Sequence, residues 1–258
     1  MKSLQEKIRN IGLFCAIPVV GKEETIRTVE ALARGEIYGL ILPWHKKVTC
    51  IVEQVHKRFP QLLIAVQGPY TKACSTFASG IGFITDTQLP TTRIQVPFFL
   101  RQGTDLLADT RPLAKCSNKI VSSRQIKQQC WEAITSRAKQ AVQEMLGFEL
   151  QHIGINHSDD QAANQTAQTF DKLFGFTQKD KGGAFFAGPY IEAMKKIFRG
   201  KQGHIAIATN HADRAAWYLT QRGATINWKT ADYNPDGSLR VVYLQEEIGG
   251  FAVHILQK

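Results

Sequence analysis

The chain has 258 residues, 43% hydrophobic and 21% charged, the size of one large or two ordinary domains and the composition of a soluble globular protein. No apolar run approaches the roughly 18 residues of a membrane span, and the start "MKSLQEKIRNIGLFCAIPVVGKEE" reads as a helix and a first strand rather than a signal peptide. The net charge of +10 sits almost entirely in residues 1–147, which carry 20 basic against 11 acidic side chains, while 148–258 carry 12 against 11; the basic residues are scattered without interleaved aromatics, which argues for a solvated surface and against nucleic acid.

In chain order, "FCAIPVV" is a buried-strand candidate and "KEETIRTVEALARGEI" a helix with apolar spacing at Ile26, Val29, Leu32 and Ala33. Next come the strand "YGLILPW", the helix "VTCIVEQVHKRFP", the strand "LLIAVQG", the helix "TKACSTFASGI" and the strand "GFITDT". "IQVPFFL" is a candidate fifth strand. Such repeated β–α units predict a parallel sheet flanked by helices. Residues 101–122 lack periodicity and read as loop, and a single helical stretch over 122–146 is ended by Gly147. The five cysteines (Cys15, Cys50, Cys74, Cys116, Cys130) are odd in number, without CxxC spacing, which predicts free thiols in a reducing, cytoplasmic setting.

A second domain is expected from Phe148, and it contains a duplication. The strand "LQHIGIN" is followed by a helix "DQAANQTAQTFDKLF", N-capped by Ser158 or Asp159 and ended at Gly175, then by "AFFAG" and "YIEAMK". The order returns as "HIAIAT", the helix "HADRAAWYLTQR" ending at Gly223, "TINWKT", "LRVVYL" and "FAVHILQ", with "NPDG" suited to a hairpin turn. His152 and His204 open the two copies, and Glu192 and His254 lie on the two closing strands. A strand histidine alone is ordinarily a core or rim residue. Four donors at matching repeat positions predict one shared metal site, with His152, Glu192, His204 and His254 as ligands. Strand alternation puts small residues, Gly154 and Ala206, on the histidine face and leaves room there. Imidazole and carboxylate suit a divalent Zn, Ni, Co, Mn or Fe ion. His45, His56, His157 and His211 are assigned to the surface.

The phrases "IPVV", "VEALARGEIYGLIL", "KRFPQLLIAVQGPYT", "ASGIGFIT" and "WEAITSRAKQAVQEMLG" resemble the keto-deoxy-phosphogluconate/keto-hydroxyglutarate aldolase family, class I aldolases on a (β/α)8 TIM barrel. Several positions depart from that family. Its second-strand glutamate falls at Ile41, the arginine after its first strand at Gly21, and its Schiff-base lysine near Ala108, while Lys115 has a polar setting. Its phosphate-loop glycine pattern is missing from "AVQGPYT". With about 147 residues, the half is too short for a complete barrel of at least roughly 200. The expectation is an α/β domain over 1–147, an incomplete TIM-barrel-like βα fold without aldolase activity. A divergent, active pyruvate-forming aldolase is the rival.

Residues 149–258, through "HIGI…F…LFGF", "GHIAIAT", "RGA" and "GGFAVHI", resemble the vicinal oxygen chelate (glyoxalase-like) superfamily. The resemblance implies an α+β domain over 148–258 with paired βαβββ modules. It places metal ligands on the first and last strand of each module, at His152, Glu192, His204 and His254, the last standing where a carboxylate is usual. It also implies that Glu192 acts as general base in a lyase or isomerase reaction on a small, anionic oxo- or hydroxy-acid or a thioester. A non-catalytic small-molecule-binding protein is the other alternative. Modules of this superfamily also pair between chains, so a homo-oligomer stays open.

Overall fold

The structure is a computed structural model that describes residues 3–18, 20–45, 48–68, 82–86, 98–108 and 111–258. The predicted helix over 71–81 lies outside these residues, as do Cys74 and most of "IQVPFFL". The chain divides into two compact units, Met1–Met145 and Leu146–Lys258.

In the first unit, α1 (Leu4–Ile11) and β1 (Leu13–Ala16) precede α2 (Lys22–Arg34), β2 (Gly39–Pro43), α3 (Val48–Arg58), β3 (Leu63–Gln67), β4 (Gly82–Asp86) and β5 (Phe98–Gln102). Neighbouring strands from β1 to β5 pair in parallel. Parallel strands bury both faces, so the apolar runs are continuous rather than alternating: Leu40, Ile41 and Leu42 are all buried, and so are Ile64, Ala65 and Val66.

The sheet then closes. Where residues 101–122 are expected to be loop, the chain forms β6 (Asp105–Ala108) and β7 (Arg111–Ser117), pairing β5–β6–β7 antiparallel. Strand β7 returns parallel beside β1, Leu13 opposite Lys115, and completes a closed barrel of seven described strands. One reversed strand therefore stands in place of helix-linked crossovers, and the shortened TIM-barrel-like βα domain closes its sheet without them. Gly103, at φ 60°, makes the first reversal, a backbone state that tight hairpins require and side chains disfavour. The register shifts between Leu106 and Leu107, and this irregularity erases the period-two signal in the sequence.

The helical stretch before residue 147 is also divided. A capping box at Ser122 and Gln125 starts α4 (Ser123–Lys127), Gln129 takes a positive φ of 54°, and α5 (Trp131–Leu146) follows. Cys15, Cys50, Cys116 and Cys130 are free thiols. No helix among the described residues is long and apolar enough to cross a membrane.

The second unit is two βαβββ modules. The first comprises β8 (Glu149–Asn156), α6 (Asp160–Phe174), β9 (Gln178–Asp180), β10 (Ala184–Ala187) and β11 (Ile191–Met194). The second comprises β12 (Gly203–Thr209), α7 (Ala212–Gln221), β13 (Ile226–Tyr233), β14 (Leu239–Leu244) and β15 (Phe251–Gln257). Asp159 is the N-cap of α6, accepting from the Ala162 N–H, and Gly175 ends the helix in the left-handed region. The strands form one sheet ordered β13-β14-β15-β12-β8-β11-β10-β9. The opening strands β8 and β12 lie antiparallel at its centre, and each pairs in parallel with the closing strand of its own module. Ala163 and Ala167 of α6 pack on Ala187 and Ala193, with Phe170, Phe176, Phe185 and Ile191 around them. That packing takes the Ile191 and Ala193 side of β11, so alternation turns Glu192 to the opposite face.

Candidate metal centre

Strand register decides which side chains meet. Across the central pair, His204 lies opposite Gly154 and His152 opposite Ala206. Glu192 is the partner of Gly154 on the other side, and His254 is the partner of Ala206. Each opening strand thus offers a histidine and, two residues on, a small residue directly across from the other histidine. Gly154 has a stringent role: a Cβ there would fall onto the imidazole of His204.

All four predicted residues converge. The Nε2 of His204 lies 2.9 Å from Glu192 Oε2 and 3.3 Å from His152 Nε2, and His152 Nε2 lies 3.1 Å from the same carboxylate oxygen. Ring nitrogens of His152, His204 and His254 all lie within 4.8 Å of one another. His204 and His254 are buried, 3% and 6% exposed. Neither ring nitrogen of His254 has a hydrogen-bond partner among the described residues, and neither does His204 Nδ1. Unpartnered buried polar atoms cost about 1–3 kcal/mol each, and native proteins leave few of them. Three imidazoles and a carboxylate form a donor set for a divalent transition-metal ion, and the orphaned nitrogens of His254 fit such an ion.

Packing holds the rings in place. Phe186 meets His152 edge-on with centroids 5.8 Å apart, and Tyr243 lies against His254 at 4.7 Å, tilted 30°. Burial raises the Glu192 carboxyl, but hydrogen bonds from His152 and His204 and their charge overcome this and leave it at about 2. Burial first, then His204 and His152, lower His254 to about 3. At neutral pH the cluster therefore presents an ionised carboxylate and a neutral His254. Burial, followed by the Glu192 charge, pushes the Tyr243 hydroxyl up to about 12.

Neighbouring residues complete the surroundings of the four. Tyr243 joins the site because β14 sets it opposite His254. Asn156, on the histidine face of β8, holds the segment leading into β12: its Nδ2 donates to Gly200 O at 2.9 Å and its Oδ1 accepts from Phe198 N at 3.1 Å. The even positions of "LQHIGIN" carry the signal for Asn156; Tyr243 needs the register. His157, expected at the surface, is half-buried, with Nε2 2.8 Å from Thr166 Oγ1. Thr166 of α6 lies against it. His56 and His211 are exposed.

The barrel positions that correspond to aldolase machinery hold no equivalent groups. Ile41 is buried in β2, and Gly21 is the N-cap of α2. Lys115 on β7 is exposed and ion-paired with Asp105. Every other lysine of this unit whose side chain is described is exposed as well. Burial pushes the Cys15 thiol up to about 12 and Cys116 to about 11, which leaves neither a thiolate nucleophile.

No protein-family model matches the chain, and no curated protein matches it. Among solved structures, a KDPG aldolase from Legionella pneumophila, with pyruvate captured as a covalent carbinolamine, is similar over 54% of this chain and 98% of its own, at 15% identity and a TM-score of 0.42. A Streptomyces coelicolor methylmalonyl-CoA epimerase is similar over 43% of this chain and 94% of its own, at 16% identity and a TM-score of 0.31. A methylmalonyl-CoA epimerase from Mycobacterium tuberculosis is similar over 44% and 89%, at 14% identity and a TM-score of 0.31. The aldolase is similar to the N-terminal part of this chain and the epimerases to the C-terminal part.

Proposed function

We propose that His152, Glu192, His204 and His254 hold one divalent transition-metal ion, and that the C-terminal unit is a metal-dependent lyase or isomerase. Its substrate is a small oxo- or hydroxy-acid or a thioester. The observation that carries this reading is the convergence of the four side chains, with both nitrogens of buried His254 left without a protein partner. When bound, such an ion polarises a carbonyl and stabilises charge developing on the adjacent oxygen.

The protein's own groups supply the rest. Glu192 is 19% exposed, and by leaving the ion its carboxylate would take a proton from carbon beside a carbonyl and return it. Phe186 and Tyr243 limit water around the imidazoles. The barrel serves as a non-catalytic partner domain, a reading supported by Ile41, Gly21 and the exposed, paired Lys115.

Metal content of protein purified without a His-tag tests the reading. About one ion per chain is expected in the wild type and almost none in His204→Ala. If neither protein holds metal, even after reconstitution, the reading fails.

A further inference from the structure

Arg199 has no role in the metal cluster, yet it stands beside it. Its guanidinium lies 5.2 Å from the ring centre of Tyr243 and 5.8 Å from that of Phe198. Tyr243 in turn lies against His254, and Phe198 meets His204 edge-on with centroids 6.4 Å apart. Arg199 is thus separated from two of the four convergent residues by a single aromatic ring each.

The arginine is also placed rather than loose. Asn156 bonds to the residues on both sides of it, taking the Phe198 N–H and donating to the Gly200 carbonyl. Asn156 projects from the strand that carries His152, so one strand positions both a member of the cluster and the arginine segment. The Arg199 side chain is exposed, and no carboxylate among the described residues pairs with it. A guanidinium held on aromatic faces, with its donors open to solvent, is arranged to receive a planar or tetrahedral anion.

We infer that Arg199 anchors a second, distal anionic group of the substrate. This rests on the metal-site reading, and it narrows the substrate class to 2-oxo or 2-hydroxy acids that carry another carboxylate or a phosphate beyond the chelating oxygens. One end of the substrate occupies the four-residue cluster. The other reaches past Tyr243 to the guanidinium. Holding both ends fixes the orientation of the carbon that faces Glu192. Carboxylate and phosphate satisfy the same fork of donors, and the test separates them.

The experiment uses the full chain loaded with Zn(II), its zinc content measured first. Three 2-hydroxy acids are titrated calorimetrically: lactate without a distal anion, malate with a carboxylate, and 3-phosphoglycerate with a phosphate. At least one of the longer acids should bind roughly tenfold or more tightly than lactate, as expected for a hydrogen-bonded charge pair. Arg199→Gln should bring that acid to the level of lactate with zinc content unchanged, and Arg199→Lys should keep part of the preference. Whichever longer acid shows the preference identifies the distal group. An equal preference in wild type and Arg199→Gln, or none in the zinc-loaded wild type, overturns the role of Arg199 and leaves the metal centre standing. Failure to bind zinc, and likewise nickel, cobalt, manganese and iron(II), overturns the metal centre and the role of Arg199 with it.

Discussion

His254 links the chemistry of the cluster to the stability of the domain. Its pKa is lowered from 6.5 to about 3, mainly by burial, so between those values the unfolded chain binds a proton that the folded chain refuses. Stability of the metal-free protein should therefore fall as pH drops below about 6.5, by about 2 kcal/mol at pH 5, and continue falling toward pH 3. Glu192 acts in the same direction at lower pH: held at about 2 against 4.5, it stabilises fully above 4.5 and progressively less as pH falls through 2. Urea unfolding of the metal-free protein at pH 7.5 and 5.0 measures the first effect. His254→Leu should flatten the decline; an unchanged decline would mean that His254 is not the group held neutral.

At the level of the strand, the centre depends on what lies across from each histidine. A methyl at position 154 would collide with the His204 ring, and the paired backbones of β8 and β12 leave little freedom to yield. Gly154→Ala should cost about 1–3 kcal/mol through overpacking and weaken metal binding by roughly tenfold or more by displacing a ligand ring. Thermal unfolding and competitive metal titration read the two effects separately, and undiminished affinity would detach His204 from the site. The four convergent residues were legible in the sequence because each sits in an alternating strand at a repeated position. Tyr243 and Arg199 were not, because their places depend on the pairing of β14 with β15 and on the two bonds made by Asn156. The closing strands β6 and β7 were hidden for a related reason: a register shift and charged neighbours such as Asp105 and Lys115 break the alternation that marks a strand.

Across the whole molecule, architecture and chemistry part company. The first unit closes a barrel, yet its described lysines are exposed, whereas a Schiff-base amine must be desolvated to be free at neutral pH. Treatment of the full chain with pyruvate and borohydride, followed by mass mapping, should therefore leave Lys7, Lys22, Lys57, Lys115, Lys119, Lys127 and Lys139 unmodified; a reduced adduct on any lysine of residues 1–147 would restore the aldolase reading. The second unit is built on a near two-fold arrangement in which β11 and β15 occupy equivalent places, but one carries Glu192 and the other His254. That inequality sets the charge balance of the centre. Two carboxylates would neutralise a bound divalent cation, whereas one carboxylate and three imidazole ligands would leave it with a surplus of one positive charge. In a half-buried setting such a surplus would be poorly screened, so a metal-loaded centre would draw an anion toward the face where Arg199 stands, and a neutral ligand of the same shape would gain no such attraction.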